Sequence, residues 1–436
     1  MPEGIPALFI GVSLLLVLMA TGMPVFVAFL LINLIAVGLF IGPAGYSMFT
    51  NSLFETTTSQ ALVTIPMFIL MGEILFRSSA VEVLFRAIDT LVRRMRGRQY
   101  VLAIVLATVF STLSGAAMGV AAMLGRSLLP GMIDRGYDAR LSAGTILAGA
   151  SLAPLIPPSV LVIIIGTLAG VSIAGLLVAG IVPGLMFAAL FLGYVFFRIW
   201  RNPELAPKNS DSIEDVNAVD ILRAALSLLP FTIIIAMVMG LILAGIATPT
   251  ESAAMGVIGS LATAAIYRSL SFRMISQSLG AAMKVSAMIL IIMASSKLFS
   301  QLLAFSGGAS ALTEWVVGTD MPVWLLLTLM MALPFILCMF VDQIALMLIM
   351  IPIYLPIVAA NGFDPIWFWL LFLVNITIGG LTPPFGYVLF ALKSTWSKGT
   401  LNDVYAAAWP FVTLFVLGIV ILALFPSIVT YLPSLI

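Results

Sequence analysis

One carboxylate lies in the middle of a strongly apolar stretch in the second half of the chain. Asp342 belongs to the segment CMFVDQIALM, residues 338–347. An ionisable side chain is costly within the apolar part of a membrane, and such side chains usually have a function. We therefore predict that Asp342 binds Na⁺ or carries a proton. A role as N-cap of the helix that follows is a second interpretation, compatible with the first.

A second polar segment, FSTLSGAAMGVAAMLG at residues 110–125, carries hydroxyls but no acid. Its hydroxyls and turn-forming glycines are Ser111, Thr112, Ser114, Gly115 and Gly119. Hydroxyls and free backbone carbonyls are neutral oxygen ligands that suit a monovalent cation, so we predict a cation site here. The same small residues also favour close helix packing, which is the structural alternative.

Two proline pairs interrupt apolar stretches with nearly the same surrounding sequence. Residues 153–165 read APLIPPSVLVIII, and residues 379–391 read GGLTPPFGYVLFA. Proline removes a backbone donor and costs about 3 kcal/mol inside a helix. The freed carbonyls survive at membrane depth only where protein or a wet cavity covers them. We therefore predict two broken helices, each facing one polar tip. The residues expected to face the first tip are Ser151, Pro157 and Ser159; those expected to face the second are Asn375, Thr377, Gly379, Gly380 and Thr382.

The composition places these segments in a membrane. The 436 residues are 62% hydrophobic and 8% charged, whereas soluble domains are about 25% charged. The chain has no histidine, which excludes histidine-based zinc sites and catalytic triads. Its single cysteine, Cys338, excludes an intrachain disulfide and a thiol metal cluster. No Gly-Lys dipeptide occurs, so a phosphate-binding loop for ATP is also excluded.

The positive charges predict the topology. The 19 Lys and Arg residues fall mostly in five clusters: Arg77 to Arg98, Arg135 to Arg140, Arg198 to Arg223, Arg268 to Lys284, and Lys393 with Lys398. The connections near 43–59, 168–174, 247–251, 304–321 and 358–365 contain none. Because basic connections stay cytoplasmic, the bare connections lie outside. The N-terminus then lies on the outer side, and we expect residues 1–22 to form a first span rather than a removed signal peptide.

Two apolar stretches, 98–134 and 322–357, are too long for one span of about 20 residues. The charge pattern requires each to return to its own side, so we predict two re-entrant hairpins, one from each face. The expected fold is an all-α polytopic membrane protein of about 11 spans plus the two hairpins. Its predicted parts are a first half at 1–200 with a broken helix at about 139–170, a cytoplasmic linker at 201–222, and a second half at 223–436 with a broken helix at about 366–392.

The two halves repeat at a constant offset of 226 positions. The matched landmarks are Pro130 with Pro356, RGYD at 135–138 with NGFD at 361–364, and Pro157-Pro158 with Pro383-Pro384. Opposite hairpin sidedness makes the repeats inverted. Inverted repeats with broken helices indicate a secondary transporter whose site lies at the midplane. Neutral oxygens favour Na⁺ as the coupling ion, while Asp342 means that a proton is still a possible coupling ion.

A few other polar residues have simpler interpretations. Thr248 and Glu251 in TPTESAAMG fit a helix-capping box as well as a site, and we favour the cap. Lys297 lies near the outer end of a span, where a lysine extends toward water. Glu73 and Arg126 are the other charges within predicted membrane segments.

The longer motifs resemble the large membrane subunit of tripartite ATP-independent periplasmic (TRAP) transporters. They are LSGAAMGVAAMLG, LLPGMIDRGYD, LIPPSVLVIIIGTLAGVS, ATPTESAAMGV, MFVDQIALMLIMIPIYLPI and NITIGGLTPPFGYVLF. The resemblance covers the chain in order. It implies Na⁺-driven uptake of an organic anion, such as a C4-dicarboxylate or sugar acid, delivered by a periplasmic binding protein. It also implies a separate four-span small subunit and the elevator fold of the ion-transporter superfamily in the bacterial inner membrane.

The resemblance also implies two Na⁺ sites and a solute site between the hairpin tips. The first Na⁺ site would use Ser111, Ser114, Gly115, Leu155 and Pro157; the second would use Phe340, Asp342, Thr377, Gly379, Thr382 and Pro383. The solute would contact Ser114, Ser159, Asp342, Asn375 and Thr382. Many relatives have hydroxyls where this chain has Ala116 and Ala117, so these two side chains cannot act as ligands.

Two other functions are open at this point. A stand-alone symporter or exchanger of the same superfamily would need no binding protein. An intramembrane protease is disfavoured, because the chain has no histidine and Asp342 has no evident partner aspartate at depth. No cofactor is expected apart from the coupling ion.

Overall fold

The computed structural model describes residues 4–93, 95–114, 117–207 and 217–436, with side chains for all of these except 43, 44 and 112–114. These residues form 22 α-helices, together with short 3₁₀ segments and one π-helical turn, and no strand occurs among them. The helices are α1 (Ile5–Ala20), α2 (Val25–Ala36), α3 (Pro43–Thr58), α4 (Thr64–Arg77), α5 (Ala80–Val92), α6 (Arg98–Ser114), α7 (Ala117–Ser127), α8 (Leu129–Asp134), α9 (Ala139–Ala150), α10 (Val160–Ala169), α11 (Ile173–Ala179), α12 (Ile181–Arg201), α13 (Ala218–Leu243), α14 (Pro249–Ile266), α15 (Phe272–Phe305), α16 (Gly308–Gly318), α17 (Val323–Leu337), α18 (Gln343–Ala360), α19 (Pro365–Gly379), α20 (Tyr387–Lys393), α21 (Leu401–Leu424) and α22 (Ser427–Thr430). The predicted all-α class is confirmed.

Six helical segments of the described chain are long and apolar enough to cross a bilayer, which needs about 20 residues at about 1.5 Å each. They are Gln60–Arg77, Ile173–Arg201, Ala218–Leu243, Phe272–Phe305, Gln343–Ala360 and Leu401–Leu424. Further apolar helices, including α1, α10, α17 and α19, are shorter. The chain is therefore a multi-pass membrane protein, and the count of about 11 spans stays a prediction.

Both broken helices are interrupted at their proline pairs. Helix α9 ends at Ala150 and α10 begins at Val160, whereas α19 ends at Gly379 and α20 begins at Tyr387. The peptide bond between the two prolines is cis in each break. Each broken helix is preceded in the chain by helices that pack on one another: α6 on α7 in the first half, and α17 on α18 in the second.

The first turns of the two broken helices are capped in the same way. The Asp138 carboxylate accepts the Leu141 N–H at 2.7 Å, and the Asp364 carboxylate accepts the Trp367 N–H at 2.8 Å. Such caps satisfy an amide that the first helical turn leaves open. Both pairs keep the offset of 226. So do Gly136 and Gly362, which precede the caps with φ of 80° and 65°, a region that favours glycine.

The two halves cross over in space. Helix α7 of the first hairpin packs on α20 of the second broken helix, and α18 of the second hairpin packs on α10 of the first. The α7–α20 contact is close at Gly125, where a Cβ atom would lie 2.6 Å from Leu392 Cδ1. The hairpins and the broken helices therefore share one packed core, which contains Phe372, Leu346 and Leu124.

The ends of two helices bear on predictions made from the sequence. Helix α13 begins at Ala218, within the segment predicted as the 201–222 linker, because Asn217 and Asp220 form a capping box there. The predicted box of Thr248 and Glu251 is confirmed at the start of α14. A cap therefore accounts for the Thr248 segment.

Two of the other charges in predicted membrane segments have ion-pair partners. Glu73 accepts the Arg77 Nε–H at 2.8 Å, one helical turn away. Lys297 on α15 forms an ion pair with Glu55 on α3, so the lysine does more than extend toward water.

Candidate functional site

The first hairpin contacts the end of the first broken helix through a hydroxyl. The Ser111 hydroxyl, which is buried, donates to the Ala150 carbonyl at 3.1 Å. Ala150 is the last residue of α9, and its carbonyl also accepts the Ala153 N–H at 3.3 Å in the turn that follows. The next residue, Ser151, donates its hydroxyl to the Leu147 carbonyl at 2.9 Å. Ser111 therefore joins the hairpin to the break that the sequence predicted it would face.

The first break is closed by local hydrogen bonds. The Leu155 N–H donates to the Leu152 carbonyl at 3.0 Å. The Ser159 hydroxyl donates to the Pro154 carbonyl and accepts the Val162 N–H, which makes Ser159 the N-cap of α10. The break thus presents carbonyls rather than free hydroxyl hydrogens.

Two predicted ligands of the first site have distinct surroundings. The Leu155 carbonyl lies against Gly180, where a Cβ atom would come within 2.2 Å of the oxygen. Gly115 and the Ser114 side chain, both predicted for this site, lie outside what the structure describes. The structure therefore brings Ser111 to the break and leaves the rest of the predicted first tip as a prediction.

The second hairpin contacts the second broken helix through two side chains that donate to one carbonyl. Cys338 Sγ and Gln343 Nε2 lie 3.3 Å and 3.0 Å from the Ile376 carbonyl oxygen. The backbones approach closely as well, since a Cβ atom on Gly379 would lie 2.1 Å from Cys338 Cβ. The tip of the second hairpin is therefore held tightly against residues 376–379.

Asp342 lies between these two donors in the chain and caps α18. Its carboxylate accepts the Ile344 N–H at 3.0 Å, which confirms the predicted N-cap. The residue is exposed, so solvent can reach it. Beside it, the rings of Phe340 and Phe385 lie 5.7 Å apart and are themselves exposed. A capping carboxylate that solvent can reach can also bind a cation.

The polar side chains of α19 and the second break are buried and bonded to carbonyls. Asn375 donates to the Met331 carbonyl on α17 at 2.7 Å. Thr377 and Thr382 each donate to the carbonyl four residues earlier, at 2.7 Å and 2.8 Å. A hydroxyl that donates its hydrogen in this way keeps lone pairs that can bind a cation. The free lone pairs of these threonines therefore suit a Na⁺ site.

The hydrogen bonds of the two halves match at the same offset of 226 positions. Ala150 corresponds to Ile376, and each carbonyl accepts from its own hairpin. Ser151 corresponds to Thr377, and each hydroxyl donates to the carbonyl four residues earlier. Cys338, Gln343 and the two carbonyls were absent from the predicted site. Applying the offset of 226 to residues near the proline pairs would have indicated the two carbonyls. No pattern in the sequence indicates which side chains donate to them.

The oxygen atoms around the tips are mainly neutral. Among the residues that the structure describes, no group of three or more His, Cys, Asp and Glu side chains comes together. The available ligands are therefore hydroxyls, backbone carbonyls and the single Asp342 carboxylate. This set fits a monovalent cation that is carried across the membrane.

Comparisons with known proteins agree with this arrangement. A family model described as the tripartite ATP-independent periplasmic transporter, DctM component, matches residues 12–428. The ectoine TRAP transporter large permease protein TeaC of Halomonas elongata is 31% identical over 98% of this chain and 99% of its own. The C4-dicarboxylate TRAP transporter large permease protein DctM of Rhodobacter capsulatus is 27% identical over 97% and 98%.

A solved transporter shares the fold. The crystal structure of the YdaH transporter of Alcanivorax borkumensis superimposes with a TM-score of 0.65, covering 88% of this chain and 90% of that one. The two sequences are 15% identical, so the likeness concerns the fold alone.

Proposed function

The chain belongs to the DctM component family of TRAP transporters, and from this membership we propose that it is the permease of a Na⁺-coupled importer of an organic anion. The family identifies the chain as a large permease subunit rather than an enzyme. Membership also implies a small membrane subunit and a periplasmic binding protein as partners. The N-terminus would lie on the periplasmic side of the inner membrane.

The observation that carries the Na⁺ proposal is the contact of each hairpin with the corresponding carbonyl of its break. Ser111 reaches Ala150, and Gln343 reaches Ile376. Each contact gathers polar side chains and a carbonyl near a helix end at an interruption, where protein covers irregular backbone. The proposed first site is Ser111, Ser114, Gly115, Leu155 and Pro157; the proposed second site is Phe340, Asp342, Thr377, Gly379, Thr382 and Pro383.

The proposed solute is a small organic carboxylate. Relatives of comparable similarity are named for C4-dicarboxylates and for ectoine, so both are candidates. We place the solute between the hairpin tips, near Ser114, Ser159, Asp342, Asn375 and Thr382. The positive ends of the helices that begin at the tips would favour an anionic group there.

The moving unit of the proposed elevator consists of both hairpins and both broken helices. Contacts of α7 with α20 and of α10 with α18 hold these pieces together across the repeats. A unit packed in this way can carry the sites as a body past α14 and α15, which both pack on α4.

Reconstituted transport tests this proposal. The large chain and its small subunit in liposomes, with an inward Na⁺ gradient, should take up succinate or ectoine only when the cognate binding protein is outside. Replacing Na⁺ by K⁺ should abolish uptake. Equal uptake in K⁺, driven instead by a pH gradient, would contradict Na⁺ coupling. Uptake without the binding protein would favour the stand-alone symporter.

A further inference from the structure

Two neighbouring cavities lie away from the hairpin tips. Their volumes are about 510 Å³ and about 350 Å³, within the range of about 300–1,000 Å³ that is usual for ligand pockets. Thr167 on α10 lines both, so we treat them together as the outer cleft. The outer cleft separates α10 of the first broken helix from α3, α14 and α15.

The walls of the outer cleft place it on the side where a periplasmic solute arrives. Residues from three separate connections line it, at 43–59, 168–174 and 247–251. None of these connections contains Lys or Arg. The positive-inside rule therefore assigns all three to the outer side. The fold therefore brings together three segments that are far apart in sequence and lie on the same side of the membrane.

The smaller cavity is lined by a lysine that is already paired with a carboxylate. Lys297 is the basic residue in its lining and forms an ion pair with Glu55 from the same wall. Side-chain exposure is 38% for Lys297 and 58% for Glu55, so solvent can reach both. Exposed ion pairs contribute little stability, and exchanging one carboxylate for another on the lysine is therefore inexpensive.

The hydroxyls around Lys297 complement a substituted carboxylate. Thr56, Thr167 and Ser300 line the same cavity, and each donates its hydrogen to a carbonyl of its own helix. Their free lone pairs accept hydrogen bonds from hydroxyl or amino groups. A small acid that carries such groups would match both the ammonium and the hydroxyls.

We propose that the outer cleft is a reception site for the organic anion, in which the solute's carboxylate replaces Glu55 on Lys297. The solute would occupy it after leaving the binding protein and before reaching the hairpin tips. This inference rests on the proposed import function. The site is distinct from the tips, because its charged residues lie on α3 and α15, outside the hairpins and broken helices.

Charge-selective labelling tests the site without any transport. Thr167→Cys would be labelled from outside, in cells that carry the complete transporter, with anionic sulfonatoethyl or cationic trimethylammonioethyl methanethiosulfonate. The parent chain gives the background, since Cys338 is 5% exposed. We expect the anion-to-cation rate ratio to fall about fivefold or more with Lys297→Met, because a nearby charge is removed. The ratio should rise with Glu55→Gln, which frees the lysine.

Thr248→Cys is the matched control, since it lines only the larger cavity. Its ratio should change less than about twofold when Lys297 is replaced. Ser300→Cys lines the smaller cavity and replaces Thr167→Cys if that variant does not accumulate. The proposal would be overturned if neither Thr167→Cys nor Ser300→Cys is labelled from outside. It would also be overturned if Lys297→Met leaves their anion-to-cation rate ratio unchanged.

Uptake separates this inference from the proposed function. In the liposome assay, Lys297→Met should raise the half-saturating solute concentration about fivefold while Lys297→Arg stays close to the parent. Unchanged half-saturation with Lys297→Met would overturn the reception site and leave Na⁺-coupled import intact. Absence of Na⁺-driven uptake in the parent chain would instead contradict the proposed function. The charge-selective labelling would still test the reception site independently.

Discussion

The two hairpin–break contacts use one backbone arrangement with different side chains. In the first half, the Ser111 hydroxyl is the side chain that reaches the Ala150 carbonyl among those that the structure describes. In the second half, a thiol and an amide from Cys338 and Gln343 share the Ile376 carbonyl, and a carboxylate lies between them in the chain. The carbonyls correspond, whereas the groups that reach them do not. Repetition has therefore kept the break and changed the chemistry of the tip.

The packing of the hairpins on the broken helices differs in the same manner. Gly149 lets α9 approach α6 so closely that a Cβ atom would lie 2.8 Å from the Ile104 carbonyl. At the corresponding position, Asn375 instead donates its amide to the Met331 carbonyl at 2.7 Å. At this pair of positions, the first half has direct backbone contact and the second has a polar side chain between the helices. Because the second tip carries Asp342 while the first has Ala116 and Ala117 in place of hydroxyls, we propose that the second half holds the better-defined ion site.

The largest expected effect comes from removing the charge of the second tip. Asp342→Asn should raise the half-saturating Na⁺ concentration for uptake about tenfold or more, because a bond to a charged group contributes about 1.5–3 kcal/mol. Asparagine caps a helix as well as aspartate, so α18 should stay intact. Asp364→Asn, at another capping aspartate, is the control and should leave the Na⁺ dependence unchanged. An unaltered Na⁺ curve for Asp342→Asn would remove this residue from the site.

A methyl group at Gly379 should separate the second tip from its break. Because a Cβ atom there would lie 2.1 Å from Cys338 Cβ, Gly379→Ala should cost about 1–3 kcal/mol of unfolding free energy and most of the uptake. The first break has Ala153 at the corresponding position, so its tip does not need a glycine there. Gly193→Ala, in open space within α12, should be neutral or slightly stabilising. Equal stability and uptake of the two variants would show that the tip tolerates displacement.

Loss of single donors should affect the two halves unequally. Ser111→Ala removes the side-chain donor to the Ala150 carbonyl, so the half-saturating Na⁺ concentration should rise about threefold or more. Cys338→Ala leaves Gln343 on the Ile376 carbonyl and should change it less than about twofold. Combining Cys338→Ala with Gln343→Leu removes both donors to the Ile376 carbonyl. The half-saturating Na⁺ concentration should then rise about as much as it does with Ser111→Ala. A larger effect from Cys338→Ala than from Ser111→Ala would reverse the comparison.

The smallest effects should come from the caps, where the halves match. Asp138→Ala and Asp364→Ala each remove an N-cap and should cost about 1 kcal/mol of unfolding free energy, without a change in Na⁺ dependence. Thermal unfolding of the purified complex measures both. Costs that differ by more than about 1 kcal/mol would show that the two capped helix starts are not equivalent.

The sequence predicted the features that depend on short-range chemistry. The proline pairs indicated the breaks, the Thr248–Glu251 pattern indicated its cap, and the long motifs indicated the family. The donors to Ala150 and Ile376 escaped prediction, because the register between a hairpin and a break is set by tertiary packing. The Lys297–Glu55 pair escaped it for the same reason, since its partners lie on helices far apart in sequence.

Equilibrium binding of ²²Na⁺ to the purified complex of the large and small subunits would decide whether the hairpin–break contacts hold the coupling ions. We predict about two saturable sites per large chain, one at each hairpin–break contact, and in Asp342→Asn a dissociation constant about tenfold higher at one of them. Binding that does not saturate, or equal dissociation constants in the parent and Asp342→Asn, would contradict this assignment.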